Sequence, residues 1–290
     1  MEAFNFVSVN SIDEAVLALQ KADGMGRILA GGTDLLVALR ENRLSTNTVV
    51  DIKKVPETTE MTYSPESGLT LGAAVPCHRM YDDPTINGAY PGLMDSAHLI
   101  GGVQIQGRAS LGGNLCNASP AADGIPALIA HYAICHVVGP NGRREIPVED
   151  FCLSPGRNAL ESGEFLINMT MPAPKAGFGA AYLRFIPRNE MDIAVVGVGA
   201  SVQLDESRTT IESARISLAA VAPKPLLVQE AGDALVGQKV SDESIAKAAE
   251  LAKAAATPIS DMRGTAEYRK HLSGVMTRRT LELAIERAKA

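Results

Sequence analysis

The sequence predicts an α+β protein with two N-terminal subdomains and a C-terminal domain of a small antiparallel sheet plus a helix bundle. Three observations predict this organisation. Short apolar strands alternate with helical stretches up to about residue 56, which is typical of a small α/β unit. Turn-bounded strands then dominate up to residue 174, and helical periodicity dominates from residue 231 onward. The proline-rich stretch 172–174 separates them, so we expect domains 1–174 (subdomains about 1–56 and 57–174) and 175–290.

The first subdomain is predicted to have a β-α-β-α-β order. Ser11 provides N-cap chemistry and Glu14 follows it at the capping-box spacing, so a helix starts there and ends before Gly24 and Gly26. The predicted strands cover 4–9, 27–30 and 48–52, and the predicted helices pass through 15–20 and 35–40.

The rest of the chain is predicted from periodicity and turn residues. The second subdomain is expected to contain strands 68–75, 133–138, 145–148 and 165–171 and helices 91–101 and 125–132. Beyond the boundary, an antiparallel meander is expected at 179–185, 194–204 and 211–220, followed by helices 231–235, 241–255 and 267–289. Within this meander, Gly197-Val198-Gly199 resembles the start of a dinucleotide fingerprint. The third glycine is missing and strand-like residues follow, so we interpret it as a structural strand.

Composition limits the class of function. The chain has 290 residues, 46% of them hydrophobic, and a net charge of −6, which argues against a nucleic-acid-binding protein. No apolar run approaches the roughly 18 residues of a membrane span, and residues 1–6 lack a signal-peptide pattern, so we expect a cytoplasmic protein. The four cysteines and five histidines show no metal-ligand spacing, so we predict no metal site and no catalytic acid, base or nucleophile.

Two glycine-rich loops are the main functional signal. The stretches Ile28 to Leu35 and Arg108 to Gly124 each place a Gly-Gly pair after apolar residues and before a helical pattern. Glycine permits positive φ and a close approach of a ligand to the backbone, and successive N–H groups at such a turn bind anions. The sequence therefore predicts a diphosphate held between the loops. The alternative is that both are tight turns.

Five segments, in this order, resemble the FAD-binding medium subunits of molybdenum hydroxylases, the xanthine dehydrogenase and carbon monoxide dehydrogenase family. The segments are 30–36, 110–114, 117–123, 191–194 and 260–269, so the resemblance spans nearly the whole chain. It implies a PCMH-type FAD-binding domain of two subdomains, followed by the C-terminal domain of this family. Ile193 departs from the carbon monoxide dehydrogenase branch, which carries tyrosine there.

The resemblance also implies the residues that would contact FAD. The backbone of both loops would bind the pyrophosphate, Asp123 would hold a sugar or adenylate hydroxyl, and further residues would line the rest of the site. The implied residues are Ile28, Leu29, Ala30, Gly31, Gly32, Thr33, Asp34, Leu35, Ile100, Ser110, Leu111, Gly112, Gly113, Asn114, Asp123, Leu166, Arg184, Asp192 and Ile193.

Several of these residues have other interpretations. Ile100 and Leu166 are also what a hydrophobic core would contain. Asp123 would equally serve as the N-cap of the following helix. Arg184 would equally be a surface charge.

The family implies an oxidoreductase subunit that transfers electrons through FAD. Its expected partners are a large subunit with molybdopterin and a small subunit with two [2Fe–2S] clusters, assembled as a dimer of heterotrimers. An external acceptor such as NAD or a quinone would take the electrons. One alternative is a free-standing FAD-dependent reductase of the same flavin fold, similar to the enolpyruvyl-sugar reductases. Another is a scaffold that has lost its flavin.

Overall fold

The computed structural model describes residues 2–188 and 191–290. Its first sheet is parallel. The N-terminal elements are β1 (Asn5–Ser8), α1 (Ile12–Lys21), β2 (Gly26–Leu29), α2 (Leu35–Arg40) and β3 (Thr48–Asp51). β3 lies between β1 and β2 and pairs with both in parallel. Ser11 caps α1 as expected, and Glu14 accepts a hydrogen bond from the Asn10 backbone.

The middle of the chain forms an antiparallel sheet with helices on it. Its elements are α3 (Pro56–Thr59), β4 (Met61–Ser64), β5 (Gly68–Gly72), α4 (Cys77–Asp82), α5 (Pro84–Ala89), α6 (Pro91–Ala97), α7 (Leu111–Cys116), α8 (Gly124–Ala130), β6 (Ile134–Gly139), β7 (Gly142–Pro147), α9 (Val148–Phe151), β8 (Cys152–Ser154), β9 (Arg157–Asn158) and β10 (Phe165–Met171). The sheet order is β4-β5-β10-β6-β7, which places the last strand in the centre.

The C-terminal part is a second antiparallel sheet covered by helices. It contains β11 (Phe178–Phe185), β12 (Val196–Leu204), β13 (Ile211–Ala219), β14 (Leu226–Leu227), α10 (Gln229–Asp233), α11 (Asp242–Ala255) and α12 (Ala266–Lys289). The strands follow each other in sequence order. α12 packs on β11, β12 and α11, so the predicted meander with a helix bundle is confirmed.

One hydrophobic cluster and the packing of α8 explain how the parts join. One cluster unites α1 and β3 with strands of the second sheet, through Ala15, Val50, Phe165 and Ile167. On the other side, α8 packs against β11, β12 and β13. Gly199 permits this packing because a Cβ there would overlap the carbonyl oxygen of Pro126. The glycines of β12 are therefore structural, as predicted.

Several sequence-based predictions of the elements were wrong. The strand predicted at 68–75 ends at Gly72, and the helix predicted at 125–132 ends at Ala130. The helix predicted at 91–101 ends at Ala97. The second glycine loop was predicted as irregular, but Leu111–Cys116 within it is helical because Ser110 provides an N-cap. None of the helices in the described ranges is both long and apolar enough to cross a lipid bilayer.

Candidate functional site

A cavity of about 550 Å³ lies where the first sheet meets the second. This volume is in the range of small-molecule and cofactor sites. Both glycine loops line it, and so do the two apolar residues predicted for its wall. The predicted residues that the structure brings together here are Ile28, Ala30, Gly31, Gly32, Thr33, Asp34, Leu35, Ile100, Ser110, Gly112, Gly113, Asn114 and Leu166.

The first loop connects β2 to α2. The Leu29 side chain is buried in a core cluster below the loop, and Leu35 packs against the same cluster. Gly32 has a φ of +81°, a conformation that other residues rarely adopt. Gly31 lies against the second loop, because a Cβ on it would overlap the carbonyl oxygen of Arg108. The Arg108 guanidinium also donates to the Gly31 carbonyl at 3.3 Å.

The second loop leads into α7, and its glycines act differently from the expectation. Ser110 Oγ accepts a hydrogen bond from the Gly113 backbone at 3.0 Å and so caps the helix. A Cβ on Gly112 would stand 2.5 Å from the carbonyl oxygen of Ala73, so this glycine permits a close backbone contact. Gly113 lies in the helix without a positive φ. Leu111 is buried in the main core cluster below them.

The loops present backbone donors to the cavity. Among the residues that the structure describes, none accepts a hydrogen bond from the N–H groups of residues 31–35 or of Gly112. Residues 31–35 are half-buried or exposed, and Leu35 and Gly112 lie in the first turns of α2 and α7, where N–H groups have no partner within the helix. Donors of this kind along a cavity wall fit an anionic ligand. A diphosphate has the charge and the acceptor oxygens that these donors require. The residues present therefore fit the pyrophosphate of a dinucleotide such as FAD.

The cavity carries few formal charges. Burial raises the pKa of the Asp34 carboxyl, and the nearby Arg43 opposes that shift. Arg27 is the cavity-lining cation, and its guanidinium donates to the Gly26 carbonyl at 2.9 Å. Asp34, Glu161 and Glu164 are the acidic residues of the lining, so the groups available to attract an anion are Arg27 and the backbone N–H groups of the loops.

Asp123 and Arg184 are placed together, but not on the cavity wall. Arg184 Nη1 donates to Asp123 Oδ2 at 2.8 Å, and the Tyr182 hydroxyl donates to Oδ1 at 2.7 Å. Burial raises the pKa of Asp123 to about 6, against the opposing influence of Arg184 and Tyr182. The Asp123 side chain makes no N-cap hydrogen bond, and the Arg184 side chain is only 5% exposed. The alternatives of a helix cap and of a surface charge were therefore wrong.

This buried cluster is nevertheless connected to the second glycine loop. Asn114, which lines the cavity, accepts a hydrogen bond from the Gly124 backbone at 3.0 Å. Gly124 follows Asp123 directly and begins α8. The cavity-lining Asn114 therefore contacts the residue that follows Asp123 in the sequence.

Asp192 and Ile193 lie outside the cavity lining as well. The Asp192 carboxylate pairs with Arg188 at 3.2 Å and with Arg263 at 3.7 Å. Ile193 is 52% exposed. The neighbouring Met191 stands over Gly102, two residues after the cavity-lining Ile100.

Family comparisons agree with this geometry. The family model "FAD binding domain in molybdopterin dehydrogenase" matches residues 2–174, and the model "CO dehydrogenase flavoprotein C-terminal domain" matches residues 181–284. The chain belongs to this family of FAD-binding medium subunits. It carries the family's FAD-binding domain and is an oxidoreductase subunit.

Individual relatives extend over almost the full chain. The carbon monoxide dehydrogenase medium chain of Afipia carboxidovorans is 32% identical and covers 99% of this chain and 98% of its own length. The xanthine dehydrogenase FAD-binding subunit of Escherichia coli O157:H7 is 28% identical over 90% of this chain and 89% of its own length. A solved carbon monoxide dehydrogenase from Hydrogenophaga pseudoflava superimposes with a TM-score of 0.93 at 30% identity, covering 99% of this chain and 98% of that one.

One wall of the cavity in this FAD-binding subunit escaped sequence analysis. Gly156, Asn158 and residues 160–165 supply it, next to the predicted Leu166, and Arg27 adds to the lining. Glu164 in this wall is held by Arg144 through two hydrogen bonds of 2.8 and 2.7 Å, and these lower the pKa of its carboxyl. The available signal was Gly156 and Gly163, which both have positive φ. These glycines mark a folded-back loop between β8 and β10.

Proposed function

We propose that the chain binds one FAD non-covalently between the two glycine loops and transfers electrons as the flavin subunit of a heterotrimeric molybdenum hydroxylase. The observation that carries the proposal is the row of unpaired backbone N–H groups of residues 31–35 and Gly112 along the cavity. A bound flavin supplies the capacity to accept electrons and pass them on, while the protein supplies binding, orientation and electrostatics.

The proposed contacts divide by chemistry. The backbone donors of both loops hold the pyrophosphate, and Ile100 and Leu166 cover apolar surface of the cofactor. Asp123 and Arg184 belong to the proposed site through Asn114, which joins their cluster to the second loop. Asp192 and Ile193 complete it on the side of the C-terminal sheet.

The proposed attachment is non-covalent. Cys116 is the cysteine that lines the cavity, and burial raises the pKa of its thiol to about 12. A neutral thiol is a poor nucleophile, so it is unsuited to forming a flavin thioether. We expect heat or acid precipitation of the purified yellow protein to release all of its flavin as FAD, at one per chain. Flavin remaining on the peptide would contradict this and would implicate Cys116.

The proposed partners are a large molybdopterin subunit and a small subunit with [2Fe–2S] clusters, arranged as a dimer of heterotrimers in the cytoplasm. The relatives support this, because those from Hydrogenophaga pseudoflava and Afipia carboxidovorans are medium chains of carbon monoxide dehydrogenases. The solved Hydrogenophaga pseudoflava enzyme is a molybdenum-cofactor protein in a form that lacks the Mo-pyranopterin moiety. The electrons are proposed to leave to an external acceptor such as NAD or a quinone.

Activity of the isolated chain distinguishes this proposal from a free-standing reductase. Expressed alone, the chain is expected to bind FAD and to oxidise no purine, aldehyde or aromatic heterocycle. Co-expressed with the genes that neighbour its own, it is expected to co-purify at equal stoichiometry, and substrate should then bleach the flavin. Substrate-dependent bleaching by the isolated chain would overturn the subunit assignment and favour the reductase.

A further inference from the structure

The segment around Ile193 is held at both ends by arginines from one short stretch of chain. This stretch, residues 261–269, forms a turn that enters α12. Arg269 donates to the Val195 carbonyl at 2.9 Å, and Arg263 stands 3.7 Å from Asp192. Ile193 lies between these two anchor points. We propose that Arg263 and Arg269 are positioning residues, a clamp that holds Ile193 in place beside the bound flavin. This inference rests on the proposed function.

Arg269 is the stronger arm of this arginine clamp. Its side chain is buried, with a residue exposure of 3%, and its guanidinium reaches three separate segments. Besides Val195 it donates to the Ala220 carbonyl at 3.1 Å and to Asp261 Oδ1 at 2.6 Å. A planar fork with several donors makes such a set of contacts, which a lysine ammonium does not reproduce.

Asp261 joins the two arms. Its Oδ1 also accepts a hydrogen bond from the Arg263 backbone at 2.8 Å, which shapes the turn that carries Arg263. These contacts to Arg263 and Arg269 lower the pKa of the Asp261 carboxyl, so it stays ionised at neutral pH. Asp261 thus connects Arg263 with Arg269, in addition to the contacts that each arginine makes with the 192–195 segment.

The clamp is also tied to the second glycine loop region. The Ala220 backbone, whose carbonyl receives Arg269, donates to the Pro120 carbonyl at 2.7 Å. Pro120 lies in the second loop, between α7 and Asp123. A single arginine therefore links the Ile193 segment with the second glycine loop.

The test uses substitutions that loosen one arm at a time. Arg263→Gln removes one of the two arginines that pair with Asp192 and leaves Arg188 at 3.2 Å, whereas Arg263→Lys retains the charge. Arg269→Lys keeps the charge but loses the fork. Arg278→Gln is the matched control, because Arg278 lies on α12 with Arg269 and its contacts are an ion pair with the exposed Glu282 at 3.5 Å and a hydrogen bond to the Asp242 carbonyl at 3.5 Å, both away from residues 191–196.

Two kinds of measurement report how these substitutions affect the 191–196 segment and the bound flavin. Hydrogen–deuterium exchange of peptides covering 191–196 reports its strength, even without flavin. Iodide quenching of bound-flavin fluorescence and the visible circular dichroism of FAD report the surroundings of the ring. We expect Arg263→Gln to speed the exchange roughly twofold to fivefold, the effect of one partly exposed ion pair, with stronger quenching at unchanged FAD stoichiometry. Arg269→Lys should exceed this, whereas Arg263→Lys and Arg278→Gln should match the wild type.

The outcomes are distinct. Unchanged exchange in Arg263→Gln would overturn the clamp, and this variant decides the question even where Arg269→Lys fails to fold. Faster exchange with unchanged flavin signals would also overturn the inference, because the arginines would then have only a structural role. A wild-type chain that retains no FAD would refute the proposed function and this inference with it, and that result is visible before any substitution is made.

Discussion

At Gly31, one absent methyl group allows the two glycine loops to touch. Because a Cβ there would overlap the Arg108 carbonyl oxygen, which is backbone and not a flexible side-chain end, Gly31→Ala must push the loops apart. Such overpacking typically costs about 1 to 3 kcal/mol of stability. We expect FAD affinity to fall roughly fivefold to a hundredfold, since 1.4 kcal/mol corresponds to a factor of ten in an equilibrium constant. Titration of the flavin-free protein with FAD measures the change.

A second glycine provides the control for this prediction. Gly88 lies in α5 with open space around its Cβ position. Gly88→Ala should leave FAD affinity unchanged and should raise stability slightly, by up to about 1 kcal/mol, because alanine is the better helix former. Equal FAD affinity in Gly31→Ala and Gly88→Ala would show that the contact between the loops is irrelevant to binding.

The raised pKa of the Asp123 carboxyl predicts that the stability of the protein depends on pH. Because burial raises its folded pKa to about 6 from an ordinary 3.8, the folded chain binds more protons at this site than the unfolded chain between those pH values. The free energy of unfolding contributed by Asp123 therefore falls as pH rises from about 4 to 6, and is constant above. The decrease is roughly 1 to 3 kcal/mol, at 1.4 kcal/mol per pKa unit.

Comparison with Asp123→Asn isolates this contribution. The variant has no titrating carboxyl at this position, so its stability lacks the Asp123 contribution at every pH. Burial lowers the pKa of His131 to about 4, which gives both proteins an opposite trend over this range, so the Asp123 contribution is read from urea unfolding between pH 4 and pH 7 as the wild type minus the variant, and this difference should fall as pH rises. Parallel pH profiles for the two proteins would contradict the raised pKa.

Among the elements, α7 is where helix capping and cofactor binding coincide. Ser110 caps this helix through Gly113, and the same turn presents Gly112 to the cavity. Ser110→Ala should cost about 1 kcal/mol of stability, the usual value for an N-cap, and should also weaken FAD binding because the loop loses its fixed geometry. Thermal unfolding and FAD titration measure the two effects.

A second serine cap provides a matched control. Ser241 caps α11, which packs on α10 and α12 in the C-terminal part, and it accepts a hydrogen bond from the Ser244 backbone at 3.2 Å. Ser241→Ala should lose a similar amount of stability while FAD affinity remains at the wild-type value. Equal FAD affinities in both variants would show that the α7 cap serves stability alone.

At the scale of the whole molecule, two arginines of the C-terminal part form ion pairs with the middle of the chain. Arg287 donates to the two carboxylate oxygens of Asp95 at 2.6 and 2.9 Å and to the Ala180 carbonyl at 2.8 Å. Arg215 pairs with Glu149 at 2.6 Å and donates to the Ile129 carbonyl. These contacts lie away from the residues that line the cavity.

Arg287→Gln should therefore reduce stability without removing the flavin. Because the Asp95 pair is about one quarter exposed on each side, we expect a loss of roughly 1 to 3 kcal/mol, between the values of surface and buried pairs. Lys253→Gln, which breaks an exposed pair with Glu250, should cost under about 1 kcal/mol. Urea unfolding and flavin content are the measurements. Loss of FAD from Arg287→Gln would contradict this independence.

Local sequence signals explain what could be predicted. The Ser11 cap, the period-two pattern of the strands and the glycine pair of each loop act over a few neighbouring residues, so the sequence itself contains them. The expectation that the loop glycines permit positive φ holds at Gly32, whereas Gly112 and Gly113 of the second loop have no positive φ. There Ser110 begins a helix, and its glycines serve close packing instead.

The sequence by itself determined the order of the elements, the two glycine loops and, through their resemblance to a family, the class of cofactor. Only the tertiary structure decided which residues meet. It paired Asp123 with Arg184, folded residues 156–166 back as a cavity wall, and placed Arg269 against Val195. The physical reason is the sequence separation of the residues that interact. Caps, turns and periodicity depend on neighbours a few residues apart, whereas ion pairs and cavity walls join residues that only the packing of separate elements brings together.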